Sequence, residues 1–153
     1  MPIKNYTTKV PANRSIEEIQ VALVKNGATG IIYEYEQGTG RISALRFRLN
    51  VNGQEVVFSL PVNWRKFQEV LHRDRVNRWN DEEYVYRVAW RVLRDWVMAQ
   101  MALYQTQIVE MPQIFLPFAT TADGSTLYDR VLTGQFLLDK PIDLHITTKS
   151  TSK

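Results

Sequence analysis

Asn52-Gly53 is the feature that most limits what this chain can fold into. A two-residue type I′ hairpin turn needs φ > 0 at both central positions, and Asn-Gly is the pair that meets this demand best. Side chains alternate on either side of it: Leu45, Phe47 and Leu49 before the turn, Val56, Phe58 and Leu60 after it. A period of two marks strands, so Arg41–Val51 and Gln54–Leu60 read as an antiparallel pair. Ile31–Glu36 adds a strand through the loop Gln37-Gly38-Thr39-Gly40, which makes a meander.

Helical spacing fills most of the remainder. Ser15-Ile16-Glu17-Glu18 has the form of a capping box and opens a helix carrying Ile16, Ile19, Leu23 and Val24, with Gly27 as its left-handed stop. Ahead of it, Ile3–Val10 alternates as far as Pro11 and reads as an edge strand. Pro61 ends the meander, and a short helix spans Asn63–His72. Asn80-Asp81-Glu82-Glu83 opens a long helix to Gln105 or Gln107, apolar nearly all round (Val85, Val88, Trp90, Leu93, Trp96, Met101) and so requiring cover on more than one side. Met111–Pro117 is irregular, Asp123-Gly124 is a turn, Ser125–Leu132 is a short helix and Ile142–Thr147 a weak strand. The fold class is α+β: a three- or four-stranded antiparallel meander sheet, with one long helix and shorter helices packed on one face. Residues 1–146 form a single domain and 147–153 a polar C-terminal tail.

A chain of 153 residues with 17 aromatics can bury one proper core. It has no cysteine, which excludes disulfides and thiolate metal sites and fits a reducing, cytoplasmic compartment. Residues 1–15 are polar and basic, unlike a signal peptide. Arg87, Arg91, Arg94 and Asp95 interrupt the apolar stretch Val85–Leu103, so it cannot span a bilayer. Net charge is only +3, but it is unevenly spread. Residues 1–15 carry Lys4, Lys9 and Arg14 without an acid, residues 64–79 hold five bases against two acids, and residues 110–143 hold five acids against two bases. Such a division suits an anionic partner on one side.

The hairpin registers assign faces. A four-residue first loop pairs Glu36 with Arg41, Tyr35 with Ile42, Tyr33 with Ala44 and Ile31 with Arg46. Across Asn52-Gly53, Leu49 faces Val56, Arg48 faces Val57 and Phe47 faces Phe58. Ile32, Leu45, Phe47, Leu49, Val56, Phe58 and Leu60 then make a core face. Tyr33, Tyr35, Arg46 and Arg48 share the open face, within reach of Arg41 at the loop. Rings that stack on bases beside cations that hold phosphates are the chemistry of single-strand binders. The plainer reading is that Arg and Tyr only cover a half-exposed sheet, and a one-residue slip would exchange the tyrosines for Glu34 and Glu36.

A second basic run, Trp64-Arg65-Lys66 through Arg73, Arg75, Arg78 and Trp79, could follow a phosphate backbone, or be an ordinary solvated helix face. Trp64 and Trp79 read as core anchors. Arg87, Arg91 and Arg94 form a helical stripe, with Asp95 placed to pair with Arg91. His72 and His145 lack ligand spacing, Glu17-Glu18, Glu34-Glu36 and Glu82-Glu83 suit helix starts and strand surfaces, and no phosphate-loop or nucleophile motif is present. These residues point to binding without catalysis, metal or cofactor.

At Val10-Pro11, Ser15-Ile16-Glu17-Glu18-Ile19, Lys25-Asn26-Gly27-Ala28, Phe58-Ser59-Leu60-Pro61-Val62-Asn63, Ala89-Trp90-Arg91-Val92-Leu93-Arg94-Asp95-Trp96 and Phe115-Leu116-Pro117, the chain resembles small proteins encoded by phages and mobile elements. The resemblance implies a setting of DNA replication, recombination or counter-defence, and it assigns no residue a role. The expectation is a non-enzymatic binder of single-stranded DNA, capable of forming a homo-oligomer. Its rival is a protein-binding module, such as a phage-encoded inhibitor of a host defence complex.

Overall fold

Pro11 decides where the first helix begins. Its carbonyl accepts from the N–H groups of Arg14 and Ser15, at 3.1 and 3.4 Å. In the computed structural model, which describes residues 1–134, α1 (Ala12–Lys25) therefore starts three residues ahead of Ser15. Ser15 is not its cap: it is fully buried on the inner face, and Glu18 turns away to another helix. Gly27 does supply the left-handed stop, at φ 115°, and the Ala28 N–H bonds to the Leu23 carbonyl at 2.9 Å.

The expected strand at Ile3–Val10 is not formed. Asn5 lies at φ 65°, and the N–H groups of Tyr6 and Thr8 close successive turns on the carbonyls of Ile3 and Asn5. A left-handed residue breaks the extended alternation, and the Asn5 side chain is held there by Asp95 at 2.9 Å.

β1 (Gly30–Tyr35), β2 (Ile42–Val51) and β3 (Gln54–Leu60) form an antiparallel meander in the order β1-β2-β3. Asn52 and Gly53 take φ 51° and 84°, as the turn requires. The β2–β3 register is the expected one, with Leu49 opposite Val56, Arg48 opposite Val57 and Phe47 opposite Phe58. Along the far edge of β3, Ala119 bridges to Phe58 and the Thr120 N–H donates to the Val57 carbonyl. The sheet has three strands among the described residues; Ile142–Thr147 and the tail 147–153 lie outside them.

Phe47, Phe58 and Phe115 sit at the centre of the core, Phe47 with its ring 5.4 Å from Phe58 and 5.0 Å from Phe115. Over them lie α1 and α3 (Glu82–Gln105), the latter capped by Asp81, which accepts from the Tyr84 N–H. Trp90 is buried, whereas Trp96 is half-buried and lies edge-on to Phe115 and Phe118. Trp64 anchors α2 (Trp64–Arg73) as its sequence position suggested. The run expected to be irregular contains a short helix, α4 (Met111–Phe115), because Glu110 and Gln113 cap it reciprocally and Pro112 falls in the first turn, where a missing N–H does no harm. A 3₁₀ turn (Leu116–Phe118) follows, and α5 (Leu127–Leu132) starts at the cap Thr126.

Candidate nucleic-acid interface

The tyrosines and arginines expected on one open face are divided between two. Tyr35 pairs with Ile42 as foreseen, but the register shifts between Glu34 and Tyr35. Ser43 is the extra residue of a bulge, its hydroxyl donating to the Glu34 carbonyl at 3.3 Å. Beyond it Tyr33 faces Leu45 and Ile31 faces Phe47, in place of Ala44 and Arg46. One added residue reverses the facing. Tyr33 consequently lies on the helix side, where its hydroxyl donates to the side-chain Oε1 of Gln20 and burial raises its phenol above the ordinary range. Ile32, assigned to the core, lies instead beside Arg46 and is exposed.

Arg46 and Arg48 remain on the open face. Arg46 pairs with Glu34 at 2.9 Å, and Arg48 lies across Gly30. Arg41 is directed to the helices: it bonds Glu82 at 2.8 Å and stacks its guanidinium over Trp64 and Tyr86, 5.1 and 5.8 Å from their centroids. It joins the hairpin loop to the start of α3. Among the described residues, no platform of stacked rings among free cations is assembled on this sheet.

The second basic run fares differently along its length. Arg65 stacks on Trp64 at 4.2 Å and pairs with Glu36 at 3.0 Å, while Lys66 pairs with Glu69 at 3.1 Å. These charges are internally compensated. Arg73 reaches Asp74 at 3.4 Å, and Arg78 both pairs with Asp81 and covers the Tyr84 ring at 4.7 Å. Among the described residues, Arg75 has no carboxylate within salt-bridge distance, and neither has Lys9.

Those two cations meet in one groove of about 420 Å³, although they lie far apart in sequence. Its walls come from the first basic segment (Tyr6, Thr7, Thr8, Lys9) and from the α2–α3 loop (Asp74, Arg75, Asn77, Arg78). Tyr84 pins the walls together by donating its hydroxyl to the Tyr6 carbonyl. Lys4 and Asn5 add a second anchor on Asp95. Arg75 follows the α2 cap residue Asp74 and takes φ 57°, with its N–H on the His72 carbonyl and the Val76 N–H on the Leu71 carbonyl, each at 3.0 Å. That position favours glycine, since a Cβ there is crowded. On the same loop Trp79 is 36% exposed, with the His72 ring 4.1 Å from its own. Trp79 is thus no core anchor. Its polar neighbours Asn77, Arg78 and Asn80 were the available signal.

A separate apolar cleft of about 370 Å³ between α2 and α3 is lined by Trp64, Phe67, Trp90, Trp96 and Phe118. Its composition suits an uncharged group, not a phosphate.

Two of the three arginines of the α3 stripe form a clasp, while Arg87 lies over the Tyr84 ring at 5.8 Å. Arg91 and Arg94 both hold Glu18 of α1, at 3.1 and 2.6 Å, and Asp95 pairs with Arg94 instead of the expected Arg91. Burial would raise the Glu18 carboxyl, but its bond to Arg94 and the charges of Arg94 and Arg91 outweigh this and hold it below the ordinary range. Asp95 is lowered likewise: burial opposes, and Asn5, Lys4 and Arg94 prevail. Both carboxylates thus bind protons more weakly in the folded chain, so their contribution is fully present above about pH 4–5, the ordinary carboxyl range, and is lost as pH falls through the lowered values. Urea denaturation at descending pH should show a decline that Glu18→Gln makes shallower; an unaltered slope would remove Glu18 from the account.

Among the described residues, no helix is long and apolar enough to cross a membrane and no group of three or more His, Asp or Glu is placed to hold a metal ion. No family model, curated protein or solved structure matches the chain.

Proposed function

We propose that this protein binds single-stranded nucleic acid, without catalysing a reaction on it, in the groove between its N-terminal segment and the α2–α3 loop. The observation that carries the reading is the meeting there of Lys9 and Arg75, two cations with no carboxylate partner among the described residues, with Arg75 held at a left-handed position that glycine would fill with less strain. Phosphates are held by such cations, and the exposed Tyr6 and Trp79 add rings on which unpaired bases can stack. Duplex offers no free base faces, so a preference for single strands follows from the rings and not from the charge.

Fluorescence anisotropy with labelled dT and dA oligonucleotides and matched duplex, at two salt concentrations, tests this directly. Lys9→Ala and Arg75→Gly should each reduce the salt slope by about 0.7 for every phosphate that is no longer neutralised. Arg75→Gly should also leave stability unchanged or raise it, since glycine takes positive φ freely. If Arg75 served only to neutralise the carbonyl end of α2, the same change would lower stability and leave binding untouched. Failure of the wild-type chain to bind any oligonucleotide at low salt would eliminate the reading and leave a protein-binding module in its place.

A further inference from the structure

We propose that β1 is a dimerisation edge, on which a second copy of this chain pairs antiparallel about a two-fold axis through Ile32. This inference stands apart from the nucleic-acid groove and uses none of its residues. β1 ends the sheet, and among the described residues no strand or isolated bridge pairs with it from outside. Monomeric proteins blunt such edges with lysine, proline or several charges. Gly30-Ile31-Ile32-Tyr33-Glu34-Tyr35 has no lysine or proline, and Glu34 is its one charge. Ile32 is 42% exposed on the open face and Tyr35 61% exposed at the strand end.

Charge complementarity identifies the occupant and the register. Gly30, Ile32 and Glu34 share the open face, so an antiparallel copy centred on Ile32 sets Ile32 against Ile32, and Gly30 of each chain against Glu34 of the other. Over Gly30 lies the Arg48 side chain: a Cβ on that glycine would stand 2.4 Å from its Nη2. Gly30 is extended backbone, so what it provides is room. Among the described residues Arg48 has no carboxylate within salt-bridge distance, unlike its neighbour Arg46. Pairing at this register brings Glu34 of the second copy beside Arg48, twice over by symmetry, and makes one six-stranded sheet. On the helix side, the flank of α1 bearing Gln20, which touches Tyr33, also carries Val24, 52% exposed one turn further on.

Sedimentation velocity on the full chain, from micromolar to hundreds of micromolar, should show a monomer–dimer equilibrium. Ile32→Lys sets two ammonium groups across the axis and should raise the dissociation constant at least about ten-fold, with unchanged circular dichroism because Ile32 is exposed. The absence of cysteine permits a second, covalent readout. Ile32→Cys should give a disulfide-linked dimer under mild oxidation, since opposed strand residues lie within disulfide reach. Leu132→Cys, also highly exposed but on α5, should not. A chain that stays monomeric throughout overturns the proposal, as does a dimer that persists in Ile32→Lys and crosslinks no better at position 32 than at 132.

Discussion

Replacing Phe47 with alanine should lower the unfolding free energy by about 3–5 kcal/mol, the range for truncating a fully buried aromatic. Phe47 is wholly inaccessible, stacked on Phe58 across the β2–β3 pair and met edge-on by Phe115. It touches the sheet and the C-terminal region at once, so neither can collapse into the void without distorting the other. Offset and edge-on ring contacts add roughly 0.5–1.5 kcal/mol each beyond area burial, which places the effect at the upper part of the range. Urea denaturation provides the measurement. A loss below about 1 kcal/mol would mean that the inner face of the sheet is not the centre of the fold.

The second large effect concerns the ligand. Trp79→Ala should weaken single-strand binding by about 1–3 kcal/mol, or roughly five- to 150-fold, with little change in salt slope. Stacking of a base on an indole involves no ion exchange, so affinity and salt dependence separate. His72 lies against the indole, yet about a third of Trp79 remains exposed. Lys9→Ala predicts the opposite signature, a reduced slope, and the two variants together distinguish a ring from a charge. Unaltered affinity in a folded Trp79→Ala chain would leave a merely basic surface, which should take duplex equally well.

Asn52-Gly53 made the β2–β3 register legible because a turn of two residues with fixed φ signs leaves the flanking strands one way to pair. The first hairpin had no such constraint. Its loop, Gln37-Gly38-Thr39-Gly40, leaves room for one more residue on β2, and Ser43 stabilises that bulge with a side-chain hydrogen bond that composition does not announce. A single residue therefore carried Tyr33 to the helix side and Ile32 to the open side. The long helix was readable from its cap and periodicity; Arg91 and Arg94 were placed on a stripe correctly, but their partner Glu18 belongs to another helix and so to tertiary structure. The groove was legible only as two separate basic stretches. Their meeting depends on turns at Asn5 and Arg75, where a non-glycine residue adopts positive φ against its local preference.

The anchoring of the N-terminal segment has a dynamic consequence. One wall of the groove is held by Lys4 and Asn5 on Asp95, by the Tyr6 carbonyl on Tyr84 and by the partly buried Ile3, few contacts beside those of the helices and strands. Segments secured in this way open at far lower free energy than the core beneath them. The groove then exists only in the fraction of molecules whose first ten residues are docked, and the observed affinity is the intrinsic one scaled by that fraction. Occupancy must in turn slow amide hydrogen exchange along the whole segment, at Tyr6, Thr8 and Val10 alike, because a ligand spanning both walls draws the open population shut.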